Sequence, residues 1–157
     1  MKTFALIFAA ISFIIVIGGA VYEHLAVVPQ WTAAVPASLT MFQGEYRLAA
    51  QNFWIPIHPI TLVLFIIALI FNWRTARRNY IATTMAGYLL VLIITALFFV
   101  PELMAITTSQ YSNTVDAGLT LRANNWETYS LIRLAFLLVL SVILLLGLSK
   151  PEPNGER

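Results

Sequence analysis

The chain has no cysteine among its 157 residues. Disulfides, thiol redox chemistry, thiolate metal sites and S-palmitoylation are thereby excluded. Charge is nearly as scarce: Lys, Arg, Asp and Glu make up 10% of the residues, against about 25% in ordinary soluble domains. Neither a glycine-rich phosphate loop nor a Gly-x-Ser-x-Gly elbow occurs, which removes two common catalytic frameworks. The two histidines lie far apart, with no His-x-x-x-His or Glu-x-x-His pair between them. Gly-x-x-x-Gly, the close-approach motif of membrane helices, is absent as well. The net charge of +2 means little by itself, and the basic cluster Arg74–Arg78 is better explained by membrane topology than by a nucleic-acid partner.

Hydrocarbon fills the space instead, with 60% of residues hydrophobic. Four apolar runs, approximately 3–28, 54–73, 81–101 and 126–148, each approach the roughly 20 residues that a helix needs to cross a bilayer. Backbone polar groups in lipid must bond to one another, so these runs are expected to be helices. The fold class follows: all-α, an antiparallel four-helix transmembrane bundle forming a single domain over 1–157. The first run resembles a secretory signal, with Lys2 ahead of it and Gly18-Gly19-Ala20 as a small-residue site. Its apolar character continues through Ala26-Val27-Val28, so a retained helix is expected.

Charge distribution sets the orientation. Lys2, the trio Arg74, Arg77 and Arg78, and the final Lys150 and Arg157 occupy segments that four spans put on one side. Cytoplasmic loops are enriched in Lys and Arg, so both termini are expected in the cytoplasm, as in a bacterial inner-membrane protein. The opposite face carries most of the acidic residues and two long connections. The first, 29–53, includes a helix-like stretch over 39–51 that either lies on the membrane or caps the bundle. The second, 102–125, is expected to begin as a continuation of helix three and to end at Asn124-Asn125, a capping pair. Residues 149–157, rich in proline and polar groups, read as a disordered tail.

Polar groups gather at that far face. Glu23 and His24 close helix one, His58 begins helix two, Glu102 follows Pro101 on helix three, and Arg133 lies inside helix four. Ionisable groups near hydrocarbon are costly and usually mark a functional site facing the bundle interior. Arg122, Trp126, Ser130 and Arg133 follow at spacings of four, four and three, so they share one helical face. Arg133 is expected to pair with Glu102 or Glu23. The candidate catalytic set is therefore His24, His58, Glu102 and Arg133, with Glu23, Trp54, Trp126 and Ser130 lining a ligand pocket. A metal held by His24 and His58 with a nearby carboxylate is a minor alternative, because adjacent Glu23 and His24 point about 100° apart on a regular helix. A haem ligated by both histidines is a weaker alternative still, and otherwise the cofactor is none or unknown.

The stretch NWETYSLIRLAF at 125–136, preceded by FFVPELMAI at 98–106, resembles the anthrone oxygenase-like family of small four-helix membrane proteins. In that family a third helix ends in proline and polar residues, and on the fourth a tryptophan is followed seven residues later by arginine. Pro101, Trp126 and Arg133 occupy these positions, whereas Ser130 stands where the family often has His or Asn. The resemblance implies oxygenase-like chemistry on a hydrophobic aromatic substrate without a cofactor. A base among His24, His58 and Glu102 would deprotonate an activated carbon acid, and Arg133 or Trp126 would hold the anion or ring. Two other classes stay open: a non-catalytic accessory subunit docking partner membrane subunits or further copies of itself, and a bundle that binds a lipophilic molecule such as a quinone or lipid.

Overall fold

The computed structural model describes residues 1–151. Four helices long and apolar enough to cross a membrane make up most of it: α1 (Lys2–Thr32), α2 (Gln51–Phe71), α3 (Arg78–Thr107) and α4 (Ala117–Leu148). A short 3-10 turn, Ala37–Phe42, lies between α1 and α2. The expected class, an all-α antiparallel four-helix bundle, is what the chain adopts. Large apolar side chains such as Ile66, Leu90 and Ile132 point outward. In water they would form aggregating patches, whereas in a bilayer they meet their own solvent. The protein is an integral, multi-pass membrane protein.

α1 is the central member, with 44% of its apolar window buried, against 17% for α2 and α3. It packs along both α2 and α4, α3 packs on α4, and of these neighbouring pairs α2 and α3 make the loosest seam. Small residues permit the close pairs. A methyl group on Gly19 would meet the Phe53 ring at 2.6 Å, and one on Gly87 would meet Leu140 at 2.8 Å. Both glycines are notches into which a neighbouring large side chain fits. In the core, Phe13 meets Phe65 and Tyr88 edge-on, with centroids 5.5 and 5.2 Å apart. Ser12 and Thr61 bond across the α1–α2 seam at 2.6 Å, so the polar atoms on that seam are satisfied.

The end that carries Lys2 and Lys150 is fastened by the α2–α3 turn. Buried Arg77 donates through Nε and Nη2 to the Lys150 carbonyl, at 2.9 and 2.7 Å, and through Nη1 to the Thr3 hydroxyl at 2.7 Å. Asn72 donates to the Lys2 carbonyl at 3.1 Å. Arg77, expected only to mark the cytoplasmic side, thus ties the start of α1 to the end of α4. Lys150 is held by this clasp. The expected disordered tail otherwise falls on 152–157, outside the described residues.

At the far end, prolines reshape the helices. Pro29 and Pro101 each follow a valine, and each sits just beyond a five-residue π-helical turn, Glu23–Val27 in α1 and Thr95–Phe99 in α3. A helical proline lacks its N–H and crowds the carbonyl four residues earlier. Widening the turn relieves that crowding: Val28 N–H bonds to the Glu23 carbonyl and Val100 N–H to the Thr95 carbonyl, each spanning five residues.

Helix boundaries differ most from expectation here. α4 begins at Ala117, where Asp116 accepts the Leu119 N–H at 2.9 Å as N-cap, so Asn124-Asn125 lie within the helix. The polar composition of 117–125 belongs to a helix projecting beyond the apolar span. Between α1 and α2 the helix-like stretch is shorter than expected, giving way near Gly44, whose φ of 77° suits glycine. Leu39 from this segment is fully buried with Trp31, Val35, Phe99, Ile106 and Trp126. The segment therefore caps the bundle.

Candidate functional site

Beneath that cap lies a cavity of about 610 Å³, lined by side chains from all four helices. It contains seven of the eight residues singled out from the sequence: Glu23, His24, Trp54, His58, Trp126, Ser130 and Arg133. Glu102 is not among them. Its carboxylate instead accepts two bonds from Arg122 on the protein surface, Nε at 2.8 Å and Nη2 at 2.9 Å. The expected Glu102–Arg133 pair does not form because α4 starts earlier than expected and offers Arg122 to Glu102 first.

Arg133 is held by neutral groups. Nη1 donates to the Thr95 hydroxyl at 3.0 Å, Nη2 donates to the buried Ser130 hydroxyl at 2.7 Å, and the guanidinium carbon lies 4.1 Å from the Phe99 ring centroid. Thr95 in turn donates to the Val91 carbonyl at 2.7 Å, which aims its oxygen at the guanidinium. Among the described residues no carboxylate lies within ion-pairing distance of Arg133. Glu23 interacts with it electrostatically, but from a separate anchor: one Glu23 oxygen accepts the Trp54 indole N–H at 2.8 Å.

His24 is 8% exposed, and its Nδ1 lies 2.8 Å from the Ala20 carbonyl. A carbonyl only accepts, so Nδ1 carries a proton, and in the neutral imidazole Nε2 holds the lone pair. That Nε2 is buried without a partner. Burying a polar atom unmatched is costly, and Asn72 Oδ1, at the opposite end of the bundle, is the other such atom among the described residues. The adjacent residues Glu23 and His24 both line the cavity.

His58 and Tyr88 complete the polar lining with a bond of 2.6 Å between Nδ1 and the phenol oxygen, and Trp54 stacks on His58 at 5.4 Å and 20°. Trp126 donates its indole N–H to the Phe99 carbonyl at 2.9 Å, so it props the π turn and also lines the cavity. Tyr88, Thr95 and Phe99 were not anticipated. Tyr88 and Thr95 are isolated polar groups in an otherwise apolar run, which was the available signal, but only their helical register shows that they face inward. Among the described residues, no group of three or more His, Asp or Glu is placed to hold a metal ion. No family model, curated protein or solved structure matches the chain.

Proposed function

We propose that the protein is a membrane-embedded binding bundle for a lipophilic small molecule with a polar head, with the cavity in the outer leaflet and both termini in the cytoplasm. One observation carries this reading: a single cavity joins apolar and aromatic walls to a donor pole, Arg133, and an acceptor pole, the Glu23 carboxylate, of which Trp54 holds only one oxygen. Ligand sites have this make-up, mostly apolar with a few convergent polar groups that fix orientation. The test is a titration of the purified protein with 1-pyrenebutanol, following energy transfer from tryptophan. Saturable binding at one probe per chain, lost in an Ala20→Phe variant that fills the cavity, is the expected result. A rise that never saturates and is the same in both proteins is partition into detergent and contradicts the reading.

The family resemblance of helix four suggests a second reading, in which the bound molecule also reacts. A neutral His24 would accept a proton from an activated aromatic carbon acid once the ligand reaches its Nε2, and the spare donors of Arg133 suit the oxyanion that develops. The resulting carbanion would then combine with dioxygen. This is the oxygenase-like chemistry implied by the family resemblance of helix four, placed on His24 and Arg133.

A further inference from the structure

Two side chains of opposite charge share the cavity without touching. A guanidinium has five N–H donors; Arg133 spends two, on Thr95 and Ser130, which leaves three for a ligand. Glu23 spends one oxygen on Trp54, and among the described residues its other oxygen receives no bond. The orphaned Nε2 of His24 lies on the residue next to it. Each charge is fixed by anchors of its own, so the pair is held open. Opposite charges in a poorly solvated cavity attract strongly, and a gap between them persists only where the surroundings hold it.

We propose that this gap seats the head of a zwitterionic membrane lipid that carries a primary ammonium and a phosphate. The phosphate takes the free edge of Arg133, and the ammonium donates to the free oxygen of Glu23. The proposal rests on reading the cavity as a ligand site and adds the chemistry of the head. A purely anionic head would pair with Arg133 but face the Glu23 carboxylate. A quaternary ammonium would supply charge but no N–H for Glu23. An uncharged head would leave the cation and the anion only weakly met. The tails have a route out between α2 and α3, the loosest seam of the bundle. There, Ile55, Val100 and Met104 line the cavity yet are 71%, 48% and 54% exposed, so this wall opens sideways toward lipid.

The test is lipid retention. The protein is reconstituted in nanodiscs that hold equal amounts of phosphatidylethanolamine, phosphatidylcholine and phosphatidylglycerol with identical acyl chains. It is then extracted in mild detergent and the retained lipid quantified. Phosphatidylethanolamine is expected at about one per chain and enriched about tenfold over the other two, the ratio expected for one charge-assisted hydrogen bond. Glu23→Gln, which keeps the shape, should reduce it to the phosphatidylcholine level, and Arg133→Gln should abolish retention of both. If Arg133→Gln does not fold, the Glu23→Gln result decides. Equal retention of the three lipids, a preference for phosphatidylglycerol, or a phosphatidylethanolamine preference that survives Glu23→Gln would overturn the proposal. Saturable 1-pyrenebutanol binding in the same preparation would then leave the ligand-site reading standing. Displacement of the lipid by O-phosphoethanolamine would assign the site to a soluble zwitterion and overturn the lipid assignment.

Discussion

His24 is where structural cost and functional role separate most clearly. A buried atom without a hydrogen bond lowers stability by about 1–3 kcal/mol, so removing it should help the empty protein fold. His24→Leu, matched for apolar shape, is expected to raise the unfolding temperature of the ligand-free protein by about 2–4 °C. If His24 is the base, the same variant loses oxygen uptake with an anthrone-type aromatic carbon acid, whereas wild type consumes oxygen. A variant that unfolds earlier and retains full uptake would make His24 a structural residue, and base catalysis at this position would fall. Arg133 raises the opposite problem: it is a charge in an apolar bundle, and Thr95, Ser130 and Phe99 make its position tolerable without neutralising it.

At the level of elements, the two ends of the bundle obey different rules. The end with Lys2 and Lys150 is regular and clamped by Arg77 and Asn72, while the far end is loosened by Val-Pro pairs that widen a turn in α1 and in α3. Arg77→Leu leaves the Lys150 carbonyl without its donors and should cost about 1–3 kcal/mol in an unfolding titration. Arg78→Leu, one residue on and exposed, is expected to change little. Equal effects would show that the clasp adds nothing to stability. The apolar runs made the four helices legible in the sequence, because length and hydropathy alone decide what can span a bilayer. The start of α4 was not legible: residues 117–125 are polar because they project past the apolar span, and polarity there resembles a loop. The same error hid the Glu102–Arg122 pair. Both π turns left a trace, in Val28-Pro29 and Val100-Pro101, but a proline alone does not say whether a helix kinks, ends or widens.

Taken as a whole molecule, the bundle is closed where α1 meets α2 and α4 and open where α2 meets α3, with a cap of Leu39, Trp31 and Trp126 over the far end. Topology gathered the polar residues at one depth, which the sequence made visible. The cavity between them depends on packing and helical register, which it did not. A ligand site requires that cavity to be occupied in the membrane. Native mass spectrometry of protein released straight from membranes reads this occupancy, with the Ala20→Phe variant alongside. Wild type is expected to carry one lipid-sized molecule of a single class per chain and the variant none. Wild type that is bare, or a random lipid mixture retained equally by both proteins, would contradict it.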